Sequence, residues 1–302
     1  MLQDRSFGLS EGVVSAWQPA SERSVAAERQ PQSLADLIVD VRSQLERRQQ
    51  NDGHWCYEFE ADATIPSEYI LLEHFLGEID PALERKIAVY LRARQADHGG
   101  WPLFPGGHLD ISASVKVYYA LKLIGDDPAA PHMRRAREAI LARGGAARCN
   151  VFTRITLALF GQVPWRAVPV MPVEIMLLPR WFPFHLAKVS YWSRTVIAPL
   201  LILMALKPRA ANPRDIGIEE LFVVPPEQER HYNANPTGAT WGSIFLAADH
   251  VLRWAEPFMP KGPRRRAIQA AIDFITPRLN GEDGLGGIFP AMANTVMAFT
   301  AL

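Results

Sequence analysis

Cysteines and long apolar stretches are both scarce in this sequence of 302 residues, and each shortage excludes a class of protein. The two cysteines, Cys56 and Cys149, are too few for a disulfide framework, so we expect a reducing compartment. The longest apolar run is Val196–Leu206, with 11 residues, whereas a membrane-spanning helix needs about 20. Any membrane contact of this chain should therefore be peripheral.

An excess of charge is also missing. Lysine plus arginine and aspartate plus glutamate each number 32, so the formal net charge is zero. Nucleic-acid-binding proteins usually show a basic excess, and the sequence therefore predicts no nucleic-acid partner. Metal-binding motifs such as C-x-x-C, H-E-x-x-H and D-D-x-x-D do not occur, and the eight histidines show no ligand spacing. We accordingly expect neither a metal nor an organic cofactor.

Helical periodicity is what the sequence has in abundance. Ser33 is a suitable N-cap, and apolar residues within 34–45 recur at the spacing of one helix face. Asp80 and Pro81 match the N-cap and first position of a second helix. The alternation typical of strands is not sustained anywhere. The sequence predicts an all-α fold, with residues 1–32 as a flexible N-terminal arm.

Further apolar-faced segments predict more helices. They cover residues 68–75, 111–123, 151–160, 184–206 and 291–302, and another helix is expected after Pro263. Between residues 168 and 184, four prolines forbid a continuous helix. This stretch is predicted to be an irregular apolar connector, either lining a cavity or forming a buried loop.

One repeat is the most informative feature. The pattern Q-x-x-x-G-x-W occurs twice, 46 residues apart, and each copy follows the polar end of a predicted helix. The copies are Gln49-Gly53-Trp55 and Gln95-Gly99-Trp101, and a degraded third copy at 283–287 has Leu285 in place of tryptophan. Glycine allows the left-handed turn that ends a helix, and the glutamine amide can stack on the indole while bonding free backbone groups. We interpret these repeats as structural clamps.

These repeats resemble the QW motifs of the triterpene cyclases, a family built from two α/α barrels. Further segments narrow the resemblance to the bacterial squalene–hopene branch and extend it from about Leu34 to Leu302. They are residues 64–72 (TIPSEYILL), 99–107 (GGWPLFPGG), 151–154 (VFTR), 164–165 (PW), 172–176 (PVEIM), 192–196 (WSRTV) and 284–294 (GLGGIFPAMAN). The implied fold is an α/α toroid barrel with QW repeats, incomplete in this chain.

The resemblance implies an isomerase of hopanoid biosynthesis. Such an enzyme protonates a terminal double bond of squalene and lets a carbocation cascade close the rings of hopene, with no metal or organic cofactor. This chemistry needs a strong acid at one end of a dry cavity and aromatic faces along it. A desolvated aromatic ring stabilises a cation by about 2 kcal/mol or more.

Five residues match functional positions of the family. Trp192 corresponds to a catalytic tryptophan facing the early part of the folded substrate, although residue type alone favours a core tryptophan. Glu68 matches an acidic residue linked by hydrogen bonds to the protonating aspartates, and a partly exposed carboxylate near a helix start fits it equally well. Ile288, Phe289 and Pro290 match the segment lining the far end of the cavity, where some members carry glutamine at the Phe289 position.

A membrane contact is implied for the segment from Trp241 to Trp254. Trp241, Phe245, Leu252 and Trp254 match the membrane-dipping region around the substrate entrance, and a basic cluster follows at 261–266, suited to anionic head groups. The alternative is a core stripe followed by a solvated basic turn. The resemblance implies a peripheral (monotopic) location at the cytoplasmic face of the cell membrane, squalene as the partner, and allows a homodimer of the full-length form.

The acid of this family is a D-x-D-D cluster, and none occurs here. The one Asp-Asp pair, Asp126-Asp127, predicts only a surface turn because Pro128 follows it. The resemblance assigns residues 33–57 to the first helix of a mostly missing second barrel, which would hold the acid. It assigns residues 58–302 to most of the inserted barrel. The chain therefore looks truncated and is expected to be inactive alone.

Two other interpretations remain open. Another α/α-barrel prenyl enzyme, such as a protein prenyltransferase β-subunit, would require aspartate, cysteine and histidine zinc ligands that are not arranged here. A non-catalytic helical-repeat binding protein would account for the missing acid. Binding alone would not require a cavity segment such as residues 284–294.

Overall fold

The computed structural model describes residues 33–55, 62–183, 185–233, 240–279, 281 and 284–302, without the side chains of Thr240 and Trp241. Over these residues the chain forms ten α-helices and no strand, and one isolated antiparallel bridge joins Leu279 to Leu285. The helices are α1 Leu34–Arg48, α2 Thr64–Leu76, α3 Pro81–Ala93, α4 Ile111–Ile124, α5 Pro131–Leu141, α6 Val151–Leu159, α7 Tyr191–Leu206, α8 Thr240–Ala255, α9 Lys261–Ile275 and α10 Phe289–Thr300. The all-α prediction is confirmed. The predicted arm, residues 1–32, lies outside the described residues.

The chain divides into two compact units, Met1–Glu60 and Ala61–Leu302. In the first unit, α1 begins as predicted, because the Ser33 hydroxyl accepts a hydrogen bond from the backbone N–H of Asp36 (3.2 Å). The apolar side chains of α1 are exposed, among them Leu34 at 73%. The assignment of residues 33–57 to a second barrel stays a prediction.

The core of the second unit is built around α4. Eleven of the 14 residues of this helix are buried, and it packs against α2, α3 and α5. Helix α3 begins at the predicted cap, with the Asp80 carboxylate accepting from the N–H groups of Ala82 (2.8 Å) and Leu83 (3.2 Å). Tyr118 and Tyr119, neighbouring residues of α4 that point in different directions, are both fully buried. The helix is therefore enclosed on nearly all sides.

The predicted starts of two helices are wrong, and two helices, α5 and α8, were not predicted. The helix predicted over residues 184–206 starts only at Tyr191, because residues 186–188 form a 3₁₀ turn and Ser190 caps the helix by accepting from the N–H of Ser193 (3.2 Å). Helix α9 begins at Lys261, before Pro263. Helix α5 was not predicted, since its charged sequence buries only Met133, Ala136 and Ile140.

The proline-rich connector is irregular, as predicted. Residues 173–177 form a 3₁₀ turn, and Val173 is buried against α9 and α7. The N–H of Val170 donates to the Asp249 carboxylate of α8 (2.7 Å). The connector thus joins α7, α8 and α9 into one packed region.

Candidate functional site

A cavity of about 360 Å³ lies between α2, α4, α6, α7 and α10. Helical spacing explains how each helix contributes, because residues three or four apart share one face. The lining residues are Glu68, Leu71 and Leu72 of α2, Lys116 of α4, Asn150, Phe152, Ile155, Thr156, Leu159 and Phe160 in and next to α6, Val196 and Leu200 of α7, and Phe289, Pro290, Ala293, Asn294 and Met297 of α10. Most of this surface is apolar.

An ion pair interrupts the apolar wall. The ammonium of Lys116 donates to the carboxylate of Glu68 over 2.5 Å, and the two side chains are 9% and 26% exposed. Opposite charges attract more strongly in such a partly buried place than in water. The functional role predicted for Glu68 stays a prediction, but the carboxylate does reach the cavity. Lys116 was not predicted, although a lysine in the middle of the apolar segment 111–123 was an available signal.

The start of α10 forms another part of the wall. Phe289 and Pro290 are its first residues and both line the cavity. The Phe289 ring centroid lies 6.4 Å from that of Tyr69 on α2. Ile288 precedes the helix and packs on the hydrophobic core. The structure therefore brings Glu68, Phe289 and Pro290, three of the predicted site residues, to one cavity.

Trp192 lies apart from these residues. Its side chain is near the start of α7, is 56% exposed, and packs edge-on against the ring of Tyr191 with 5.5 Å between centroids. The alternative of a core tryptophan is therefore wrong. Val196 and Leu200, one and two turns further along α7, line the cavity, whereas Trp192 is not part of the lining. Its catalytic role stays a prediction.

The second QW copy ties two helices together. The Gln95 amide donates to the carbonyls of Gly99 (2.7 Å) and His132 (2.8 Å), and its oxygen accepts from Arg135 of α5 (2.8 Å). Gly99 has φ +86, and a Cβ there would lie 2.8 Å from the Arg135 carbonyl oxygen. Glycine is required here on both counts.

The tryptophans of the two copies make the same hydrogen bond. The indole N–H of Trp55 donates to the Leu45 carbonyl, and that of Trp101 donates to the Leu91 carbonyl, both over 2.8 Å. Each acceptor lies ten residues earlier, near the end of the preceding helix. In the first copy, Gln49 also donates to the Gly53 carbonyl over 2.7 Å, the distance found in the second. Stacking of the amide on the indole stays a prediction.

The predicted membrane segment coincides with α8. Phe245 and Trp254 are 55% and 74% exposed, Phe258 just beyond the helix is 73% exposed, and Leu252 is half-buried. The alternative of a core stripe is therefore wrong for Phe245 and Trp254. The side chain of Trp241 lies outside the described residues. Across the described part of the chain, every helix is too short or too polar to cross a membrane.

The interpretation of Asp126-Asp127 as a surface turn is wrong for the first aspartate. The Asp126 side chain is only 6% exposed and accepts from Arg92 (2.9 Å) and His132 (2.6 Å). Burial opposes its charge, but these two partners outweigh burial and lower the pKa of Asp126. No local pattern could reveal this, because Arg92 lies 34 positions earlier in the chain.

Among the described residues, histidine, cysteine, aspartate and glutamate side chains nowhere cluster in threes as a metal site would need. The polar residues of the cavity wall are the Lys116–Glu68 pair, Asn150, Thr156 and Asn294, and the other twelve lining residues are apolar. Such a wall suits an apolar substrate better than a polar one.

Comparisons with known proteins agree with this geometry. A family model described as the squalene-hopene cyclase N-terminal domain matches residues 38–302. The chain is 58% identical over 270 residues to a squalene–hopene cyclase of Zymomonas mobilis, covering 88% of this chain and 40% of that protein. It is 57% identical over 256 residues to one of Bradyrhizobium diazoefficiens, covering 84% and 39%.

A more distant relative is the dammaradiene synthase of Dryopteris crassirhizoma, 30% identical over 273 residues, which are 90% of this chain and 40% of that protein. The chain thus spans about 40% of the length of each of these three relatives. Because the family model covers most of the chain, from residue 38 to residue 302, the chain belongs to the squalene–hopene cyclase family, in the part of it that forms the N-terminal domain.

Proposed function

We propose that this chain supplies one wall of the substrate cavity of an enzyme that cyclises squalene to hopene. The observation that carries the proposal is the cavity of about 360 Å³ to which α10 contributes Phe289 and Pro290 while α2 and α6 contribute apolar side chains. Squalene is a hydrocarbon, and an apolar surface excludes the water that would quench its cations. The aromatic rings of Phe152, Phe160 and Phe289 can stabilise positive charge through their faces.

The starting acid is assigned to another part of the enzyme. The Glu68 carboxylate is held in an ion pair with Lys116, and no D-x-D-D cluster occurs in the sequence. The relatives extend well beyond the segment that this chain matches. We place the D-x-D-D acid in that further segment and expect the 302-residue chain alone to leave squalene unchanged. A role for Trp192 in stabilising early cations belongs to the same proposal.

Contact with a bilayer completes the proposal. The exposed side chains of Phe245, Trp254 and Phe258 lie on and just beyond α8, and exposed Arg265 and Arg266 follow on α9. Aromatic and basic groups in this combination suit an interfacial, monotopic attachment. We propose that the attachment is to the cytoplasmic face of the cell membrane. A homodimer of the full-length form rests on the family resemblance alone.

A chimera tests the cyclase proposal. Residues 1–302 of this chain are joined to the remainder of the Zymomonas mobilis squalene–hopene cyclase that follows its matched segment, and the product is incubated with squalene. Mass spectrometry should detect hopene from the chimera and none from the 302-residue chain. Hopene from the chain alone would overturn the placement of the acid. A folded chimera without product, beside an active Zymomonas mobilis parent enzyme, would overturn the proposed function.

A further inference from the structure

A second, smaller cavity of about 150 Å³ shares no lining residue with the larger one. It lies between the C-terminal ends of α7 and α8 and the chain at residues 165–171. Its charged lining residues are Arg166, Lys207, Arg253 and Glu256, and we call it the basic pocket. The remaining wall is apolar, formed largely by Trp165, Val168, Val170, Met171 and Met204.

The pocket carries an unbalanced positive charge. Lys207 pairs with Glu256 (2.7 Å) and Arg253 pairs with Asp249 (2.9 Å). Arg166 differs, because its guanidinium donates to backbone carbonyls, including that of Glu227 (2.7 Å), and these are neutral partners. One cation in the lining is therefore left without compensation from these bonds.

The cations are held in place. Lys207 is a non-glycine residue at φ +51, where its N–H closes α7 by donating to the Leu203 carbonyl (2.7 Å). This left-handed conformation is a common way for a helix to end, and it fixes the backbone from which the Lys207 side chain extends. The Lys207 ammonium lies 6.0 Å from the centre of the Trp165 ring. Arg253 is fixed by a bond to the Val168 carbonyl (3.0 Å).

The charged groups of Lys207 and Arg253 have several N–H donors with which to bind an anion. An ammonium has three N–H donors and a guanidinium five, and the contact of Lys207 with Glu256 is an ion pair. The side chains of Lys207 and Arg253 are 36% and 31% exposed, so an anion can reach them. A cationic side next to an apolar wall fits a phosphate ester that carries an apolar tail.

The rim of the pocket indicates where such a ligand would come from. Trp254 directly follows the pocket residue Arg253 in the chain, Phe258 lies two positions after the pocket residue Glu256, and the two ring centroids are 5.6 Å apart. Both aromatic side chains are more than 70% exposed. We propose that the basic pocket binds the phosphate-ester head group of an anionic membrane phospholipid while these aromatic rings contact its acyl chains. This inference rests on the membrane contact proposed for α8.

Soluble ligands test the pocket without a membrane. Dihexanoyl-phosphatidylglycerol below its micellar concentration, and inorganic phosphate in parallel, are titrated into the chain by calorimetry. Lys207→Gln should weaken binding of the short lipid about tenfold, the equivalent of 1.4 kcal/mol. Arg265→Gln removes an exposed cation of α9 that does not line the pocket and should leave binding unchanged. Circular dichroism checks that both variants are folded.

Vesicles then identify the source of the ligand. On vesicles of phosphatidylcholine with phosphatidylglycerol, Lys207→Gln should lose more binding than Arg265→Gln, while both bind pure phosphatidylcholine like the unaltered chain. Short-lipid binding without vesicle binding would overturn the membrane contact and leave the phosphate-ester site standing. Equal loss in both variants, with no short-lipid binding, would overturn the pocket. Phosphate bound as tightly as the short lipid would overturn the role of the apolar wall.

Discussion

The Lys116 ammonium lies 2.5 Å from the Glu68 carboxylate in a cavity wall that is otherwise mostly apolar. The pair joins α4 to α2 across 48 positions of the sequence. Lys116 is the more buried partner, at 9% exposure against 26% for Glu68. Removing the Glu68 carboxylate leaves the Lys116 ammonium buried without a partner. This costs more than leaving the more exposed Glu68 carboxylate unpaired.

Replacing Glu68 should destabilise the second unit. We expect Glu68→Gln to lower the free energy of unfolding by about 1–3 kcal/mol, because the Lys116 ammonium is left buried without its counter-charge. The double variant Glu68→Gln/Lys116→Met should recover much of the loss. Urea denaturation followed by circular dichroism measures both, with Glu78→Gln on the exposed surface as control. A cost no larger than that of the control would contradict the pairing.

The two QW tryptophans should differ in their importance to this chain, although their hydrogen bonds are alike. Trp101 is fully buried and Trp55 is 46% exposed. Trp101→Phe leaves the Leu91 carbonyl without its donor and opens a gap, which should cost about 2–4 kcal/mol. Trp55→Phe should cost less than about 1 kcal/mol, since water replaces the lost partner. Equal losses in thermal or urea denaturation would show that burial does not set the strength of the clamp.

A buried histidine should make stability depend on pH. His74 is fully buried, bonds to Glu84 (2.8 Å), and Glu84 in turn accepts from Arg214 (2.8 Å). Burial lowers the pKa of His74 from its ordinary 6.5, although Glu84 acts in the opposite direction. The unfolded chain therefore binds a proton near pH 6.5 that the folded chain does not yet bind.

Stability should consequently fall as the pH drops below that value, by up to about 1.4 kcal/mol per pH unit. Stability stops falling once the pH is below the lowered pKa of His74 in the folded chain, because both states then bind the proton. Urea denaturation at about pH 7.5 and about pH 5.5 measures the loss, which His74→Gln should reduce because that side chain does not titrate. The same pH dependence in His74→Gln would assign the effect to other groups.

Membrane attachment should depend on the exposed aromatic side chains of α8. Changing Phe245 and Trp254 together to Ser removes two exposed rings, and each carries enough apolar area to matter at an interface. We expect clearly weaker flotation with liposomes. The matched control changes Leu103 and Phe104, which are 49% and 65% exposed, to Ser. Equal flotation of both double variants would show that α8 is not the attachment site.

The sequence predicted best what is decided locally. The caps Ser33 and Asp80 act on their own helices, so their residue types were sufficient. Helix α5 escaped detection because only one narrow apolar face packs inward. The pairing of Lys116 with Glu68, and of Asp126 with Arg92, depends on helices distant in the chain. No pattern within one helix encodes such partners.

The candidate site was predictable only in part for the same reason. The match of residues 284–294 to a cavity segment led to Phe289 and Pro290, which do line the larger cavity. Family resemblance also selected Trp192, yet its side chain is exposed and apart from that cavity. The basic pocket was not foreseen, since it combines residues from three separate segments of the chain.

Photo-crosslinking tests most directly whether the larger cavity contacts substrate. p-Benzoyl-phenylalanine replaces Phe289 in the chimera with the Zymomonas mobilis remainder, and in a second sample it replaces the exposed Phe104. Each is irradiated with squalene and digested, and peptides are analysed for an added triterpene mass, which is the same for squalene and hopene. We expect adducts at residue 289 and none at residue 104. Equal labelling at both positions, or labelling at residue 104 alone, in a chimera that still forms hopene would contradict the placement of substrate against this wall.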